Sequence, residues 1–396
     1  MPFDPESQLP DRDSDVRQPL RIALVVNPFR FKNRVPQHAP EFARELMGRG
    51  HVVRGFGATP GVIPRSRDGS VIAQMQPVVS MDRFVPDVLV AYDALSPAAA
   101  RAARSASKLN VPLFVIEEAL PDRGRRFERA LRWLGEKLWG SYVRHRVSRV
   151  IALDEMARVQ AREEGFAPDK IHVLPGGVDL VHYRPNLTSS LPSRHGIRGR
   201  ILLYLGRLDS GRGLEVLIDA FGRTVGQSEG WTLVLAGSGS AARQLRAQAN
   251  RLGIGAHVCW LRTPRTEELA GLLAASTLMV SPGLGGEVSG WQVRRALACG
   301  LPILAGRGSR AEELVEHDGC GWLIDAQENT AWEEALTLAT GSPERRRRWG
   351  LAARERAEEL YAWPAIVEQF EEILLTALGR SDPRAPEVGP AVGPTS

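Results

Sequence analysis

The chain has 396 residues, 43% hydrophobic and 24% charged, enough length for two or three domains and an ordinary composition for a soluble globular protein. No apolar run approaches the roughly 18 residues of a membrane-spanning helix, and the N-terminal MPFDPESQLPDRDSDVRQ lacks the basic and apolar regions of a signal peptide. The net charge of +5 rests on arginine, with lysine only at Lys32, Lys108, Lys137 and Lys170. That balance suits phosphate-bearing partners (nucleotides, nucleic acid or an anionic membrane face), or it reflects a codon bias toward arginine; both readings are open. Cys259, Cys299 and Cys320 lie in apolar surroundings without metal-ligand spacing and read as reduced core thiols of a cytoplasmic protein.

In chain order, residues 1–19 form a polar, proline-bearing tail expected to be disordered. Strand-like runs then alternate with helical patterns: Arg21–Asn27, a helix at Phe42–Arg49, HVVRGFG, Asp87–Tyr92, a helix at Pro97–Leu109, PLFVIE, a long helix at Glu128–Arg144, RVIAL and KIHVLPGG. After the polar linker Leu187–Arg198 the pattern restarts with Arg200–Leu208, a helix at Leu214–Thr224, WTLVLAGSG, a helix at Ala241–Leu252, HVCWL, a helix at Glu267–Ala275, LMVSP and GWLID. Such alternation predicts an α/β protein of two doubly wound, Rossmann-like domains, 20–190 and 191–360, facing a central cleft. A last helix, 361–378, is expected to return to the first domain, and a second disordered tail follows from Gly379. No zinc spacing, Ser-His-Asp arrangement, Walker loop or nucleic-acid module appears.

Several places carry chemistry. Ser281–Gly306 sets Glu287 in a glycine-bearing loop ahead of a helix entered through Gly290 and starting near Trp291. A helix start offers backbone N–H groups that suit a diphosphate, and the carboxylate can accept hydrogen bonds from sugar hydroxyls or simply sit at the dipole end. Arg207 and Arg212 flank the start of the helix that opens at Gly213, where they can bind phosphate bidentately or cap surface carboxylates. Glu117 and Glu118 end the strand PLFVIE; they are a base or acceptor-binding pair facing the cleft, or they begin the next helix. Asp122–Arg149 holds nine basic residues against three acidic ones. At about 100° per residue, Phe127, Ala130, Leu131, Leu134, Leu138 and Tyr142 share one face, flanked by Trp133 and Trp139. This helix either packs that stripe on the sheet or lays it on an anionic membrane surface. The run Arg345–Arg348 reads as a solvated helix face.

These motifs, in this order, resemble glycosyltransferase family 4, retaining enzymes of the GT-B fold. YLGRLDSGRGLEVLIDAF, WTLVLAGSGS, the segment Ser281–Gly306, GCGWLID, Ala362–Pro364 and KIHVLPGGVDLVHYRP each look like elements of that family. The match is good over Val150–Leu378 and only in outline before it. The resemblance implies that Arg207 and Arg212, the latter in place of a lysine, bind the donor diphosphate, and that Glu287 contacts the transferred sugar. It implies that Gly206, Gly213, Gly237, Gly286, Ser289, Gly290 and Trp291 line the donor site. Arg295 departs from the pattern: it replaces the glutamate that holds the nucleotide ribose, and would meet an extra phosphate or pair with Glu287. The first domain departs too, with the glycine-free NPFRFKNR, whose Arg30, Lys32 and Arg34 meet an anion or are solvated, and with Glu117 and Glu118 where a histidine is frequent. The implied activity is transfer of sugar from a nucleoside diphosphate sugar to a saccharide or lipid-linked acceptor, for cell-surface polysaccharide. It needs neither a metal nor a cofactor besides that substrate, takes place in the cytoplasm, and leaves open a peripheral contact with the inner membrane face. The alternatives are a non-catalytic partner protein on the same fold and, less well matched, a sugar-nucleotide epimerase.

Overall fold

The computed structural model describes residues 18–26, 39–57, 76–118, 133–225, 230–283, 290–325 and 329–380. Two parallel sheets organise it. The first contains β1 (Arg21–Val26), β2 (Val52–Gly57), β3 (Gln76–Pro77), β4 (Val88–Tyr92), β5 (Leu113–Glu117), β6 (Arg149–Ala152) and β7 (Ile171–Val173), in the order 3-2-1-4-5-6-7. The second contains β8 (Arg200–Leu205), β9 (Trp231–Ala236), β10 (Val258–Leu261), β11 (Leu278–Ser281), β12 (Ile303–Gly306) and β13 (Gly321–Ile324), in the order 10-9-8-11-12-13. Each order reverses beside its first strand, at β1/β4 and β8/β11, which opens a crevice at the carboxyl ends of the strands. The central strands are apolar without alternation, as in the fully buried Val88–Tyr92, because helices cover both faces of each sheet.

Local signals set several elements. Helix α3 (Pro97–Leu109) follows the N-terminal helices α1 (Ala39–Gly48) and α2 (Met81–Phe84). Ser96 caps it by accepting from the Ala99 N–H at 3.0 Å, Pro97 occupies its first turn, and Asn110 ends it in the left-handed region. Ala99, Ala102, Ala103 and Ala106 face the sheet, so the helix lies close to it.

Residues 133–146 form helix α4, which contains a π-helical turn at Glu136–Gly140. The expected packing of its Leu134, Leu138 and Tyr142 stripe on the sheet is not what is found. Trp133, Leu134, Leu138 and Tyr142 are 64%, 43%, 63% and 43% exposed, whereas Gly135, Gly140 and Val143 face inward. The cause is a close backbone approach: a Cβ on Gly135 would run into the Leu95 carbonyl oxygen, and Trp139 Nε1–H donates to that same oxygen at 3.1 Å. Glycine is what permits that contact, and the leucines are left on the far side. Phe127, Ala130 and Leu131 lie outside the described residues.

The chain crosses between domains twice, at one place. After helix α5 (Glu155–Glu163) and β7, it leaves the first domain through Gly176–Gly177, and it returns at Tyr361–Trp363, after helix α12 (Pro343–Leu360). Val178 N–H donates to Tyr361 O at 2.7 Å, and Val178 and Ala362 form a parallel bridge. A Cβ on Gly176 would lie 2.6 Å from the Trp291 ring, and one on Gly177 would overlap the Trp363 ring. Helix α13 (Trp363–Ala377) then packs on α1, with Phe370 edge-on to Phe42 at 4.9 Å and to Phe114 at 5.6 Å. Beside these rings Glu371 is buried and accepts from Arg49 Nε and Nη2, both at 2.9 Å, and from His51 Nε2 at 2.9 Å. Leu20 N–H donates to His51 Nδ1 at 3.1 Å, which fixes the ring proton on Nε2. No helix among the described residues is long and apolar enough to cross a membrane.

Candidate functional site

The carboxyl ends of the second sheet carry Gly206, Arg207, Arg212, Gly213 and Gly237. Gly206 and Gly237 follow β8 and β9 directly, their N–H groups bonded to Ala236 O and Leu261 O. Helix α7 (Leu214–Thr224) starts at Gly213, whose φ of 71° is the left-handed conformation that favours glycine; a Cβ there would sit 3.0 Å from Pro282 O. The α7 start is thereby pressed against the end of β11. Between β8 and α7, Arg207 and Arg212 converge on Asp209. Arg207 Nε donates to Asp209 Oδ2 at 2.5 Å, and Arg212 Nη2 stands 4.0 Å from the same oxygen. Asp209 Oδ1 accepts from Ser240 N–H at 2.8 Å and from Ser240 Oγ at 3.1 Å. The Arg207 hydrogen bond, with those from Ser240, holds the Asp209 carboxyl down to about 2. Tyr204 Oη donates to Arg207 O at 2.8 Å and steadies the turn.

Two guanidinium groups thus approach one anionic oxygen, in the turn that leads into a helix start. That arrangement recognises phosphate as readily as carboxylate, since both accept the planar fork of arginine. Sequence reasoning passed over Asp209, although Arg207, Asp209 and Arg212 within one short turn were a legible signal.

Glu287, Gly286 and Ser289 lie outside the described residues, as do Arg30, Lys32 and Arg34. Gly290 and Trp291 open helix α10 (Gly290–Ala298), the helix that follows β11. The Trp291 ring is buried against Trp363, with centroids 6.4 Å apart, so only its backbone stands at the helix start.

Arg295 packs over aromatic rings. It is buried at the domain crossing, its guanidinium 5.0 Å over Tyr183 and 5.9 Å over Trp291, with the carboxylate of Glu41 as an electrostatic neighbour. The helical period puts residues 291 and 295 on one face, and that face meets the crossing segments. Burial raises the Glu41 carboxyl, against the lowering effect of its bond from Trp363 Nε1 (2.8 Å) and of Arg295. Arg294 is also buried and crosses the seam, donating from Nη2 to Leu153 O at 3.0 Å. Two further contacts span the same seam: Glu155 N–H to Glu313 Oε2 at 3.3 Å and Arg310 to Asp154 at 4.0 Å. Burial, then the proximity of Asp154, pushes the Glu313 carboxyl up.

Glu117 is held by a backbone contact of the first domain. It is 1% exposed at the end of β5, and its Oε1 accepts from the Ala94 N–H at 2.6 Å, bracing the turn between β4 and α3. The register of β5 against β6, with Glu117 opposite Ala152, turns this side chain inward. Glu118 is half-buried, close enough to Tyr92 and Arg294 to act on both. Among the described residues, no group of three His, Cys, Asp or Glu side chains could hold a metal ion.

Comparison with known proteins bears on the family and the fold. The family model for glycosyl transferases group 1 matches residues 192–356, and that for the glycosyl transferase 4-like domain matches residues 20–177. The D-inositol 3-phosphate glycosyltransferase of Segniliparus rotundus is 27% identical over 207 residues, 51% of this chain and 46% of that protein. The GDP-mannose-dependent alpha-(1-6)-phosphatidylinositol monomannoside mannosyltransferase of Mycolicibacterium smegmatis is 28% identical over 210 residues, 51% of this chain and 55% of that protein. The matched region thus spans about half the length of these curated relatives. Among solved structures, Anabaena HepE in complex with UDP aligns with a TM-score of 0.67 at 19% identity, covering 90% of this chain and 100% of that one. The sucrose-phosphate synthase of Thermosynechococcus elongatus aligns with a TM-score of 0.63 at 18% identity, covering 91% and 99%. The shared architecture is the GT-B fold.

Proposed function

The chain belongs to the glycosyl transferases group 1 family, with a 4-like first domain, and from that membership we propose that it is a retaining glycosyltransferase. It moves a sugar from a nucleoside diphosphate sugar to a saccharide or lipid-linked acceptor in cell-surface polysaccharide synthesis, at the cytoplasmic face of the membrane. The observation that carries this reading is the convergence of Arg207 and Arg212 on one anionic oxygen at the start of α7.

When the bond between the anomeric carbon and the diphosphate breaks, negative charge builds on the departing diphosphate. Arg207, Arg212 and the N–H groups of the α7 start are placed to neutralise it, displacing Asp209 from the arginines as the donor enters. Glu287 is assigned to the sugar hydroxyls, and closure of the cleft across the Arg294–Leu153 seam excludes water from the donor. The nucleoside diphosphate sugar is a substrate, and no resident cofactor enters the scheme.

The test is calorimetric titration with UDP, GDP, ADP and their sugars, followed by turnover assays with acceptor extracts. At least one nucleotide should bind, and Arg212→Ala should weaken it by about tenfold to a hundredfold, the value of one charge-assisted hydrogen bond. No binding by any nucleotide at about millimolar concentration, or an Arg212→Ala variant with unchanged affinity, would overturn the donor assignment. Binding without turnover selects the non-catalytic partner protein, and an epimerised donor selects the epimerase.

A further inference from the structure

We propose that the outer face of helix α4 docks on an anionic lipid surface and holds the rim of the cleft against it. The inference deepens the lipid-linked acceptor reading above and rests on it. Helix α4 has two faces with different uses. Its inner face spends Gly135, Gly140 and Val143 on the first domain, anchored where Trp139 donates to Leu95 O. The outer face carries Trp133, Leu134, Leu138 and Tyr142, all exposed and spaced so that the last three form one stripe.

Cations border this stripe. Lys137 is exposed on α4 itself, and Arg101, Arg104 and Lys108 are exposed on the neighbouring α3. The two helices are tied together, since Tyr142 Oη and Ser107 Oγ lie 3.1 Å apart and Arg146 donates to Ser107 Oγ at 3.0 Å and to Ala106 O at 2.6 Å. Glu136 is paired with Arg144 at 2.6 Å and Asp82 with Lys108 at 2.8 Å, so the border's net charge rests on Lys137, Arg101 and Arg104. An apolar stripe with a tryptophan at its end and a cationic border fits the interface of an anionic bilayer, with the helix lying in its plane. Two copies of this chain placed face to face would instead oppose like charges.

The topology adds a location. Leu95 follows the carboxyl end of β4, and the carboxyl ends of the strands border the cleft. The half of α4 that begins at Trp133 is fixed to Leu95, so that end of the stripe lies at the cleft rim. A lipid-anchored acceptor in the same surface would enter without leaving the bilayer.

The experiment sediments the full chain with vesicles of phosphatidylcholine alone or of an equimolar mixture with phosphatidylglycerol, at two salt concentrations. Binding should be at least about tenfold tighter to the anionic vesicles and should fall with salt. Leu138→Asp should weaken it about tenfold or more; the side chain is exposed, and an unchanged melting curve would verify the fold. Equal sedimentation on neutral and anionic vesicles, or full binding by Leu138→Asp, overturns the proposal. So does a dimer that Leu138→Asp dissociates while neither form binds vesicles. Nucleotide titration of the same samples separates the two inferences: intact nucleotide binding without vesicle binding removes only the docking surface, and the reverse result removes only the donor site.

Discussion

Replacing Glu371 by Gln removes the carboxylate that fastens the returning helix α13 to the first domain. Burial alone would raise this carboxyl, but the hydrogen bonds from His51 and Arg49 outweigh it and hold it at about 2, against an ordinary glutamate value of 4.5. A difference of this size corresponds to about 3 kcal/mol of stabilisation near neutral pH. Counting bonds gives a similar figure. All three hydrogen bonds lose their ionised acceptor and one acceptor oxygen becomes a donor, but Arg49 keeps 29% of its side chain in water and can re-solvate, so the cost stays near the lower end of a broken buried pair, about 3 kcal/mol. In differential scanning fluorimetry at pH 7, the first transition of Glu371→Gln should fall by roughly 6–12 °C. Because the native carboxyl is depressed, its contribution is complete above the unfolded value of 4.5 and is lost as pH falls toward 2. The gap between wild type and variant should therefore narrow through that acid range. A shift below about 1 °C at pH 7, or a gap that stays constant down to the lowest pH, would refute the reasoning.

Two further outcomes concern the domain crossing. Arg295→Ala removes a buried cation from the rings of Tyr183 and Trp291 and from the vicinity of Glu41; it should cost about 2–4 kcal/mol by urea unfolding while leaving nucleotide affinity within about threefold. A loss of nucleotide affinity of about tenfold with stability intact would return Arg295 to the donor site. Gly177→Ala places a methyl group into the Trp363 ring and should lower stability by about 1–3 kcal/mol, with an unchanged unfolding midpoint as the contrary result.

What the sequence reveals and what it conceals follow from how local each determinant is. Helix Pro97–Leu109 is readable to the residue because Ser96, Pro97 and Asn110 mark its ends within the helix's own neighbourhood. The doubly wound order is readable because apolar runs and helical periods alternate twice. The inward face of α4 is not, since periodicity locates a stripe without saying whether the leucines or the glycines meet the domain; contact with Leu95 O, distant in sequence, decides it. The same holds for Glu117, whose direction depends on strand register and on a turn 23 residues earlier. Arg295 lies between these cases. Its helical face, shared with Trp291, was legible, but the aromatic residues beneath it come from the crossing segments. Arg207 and Arg212 stand in the turn that the sequence singles out, and the structure adds Asp209 between them.

The pairing of Val178 with Tyr361 and Ala362 has a mechanical consequence. Since both covalent threads between the domains meet at that bridge, any opening of the cleft must pivot there, with Trp291 and Trp363 rolling over glycine backbone on either side. A pivot at one edge acts as a lever. Small rotations beside Gly177 become large displacements at the far lips of the cleft, so substitutions at this bridge can alter access to the site while touching none of its residues.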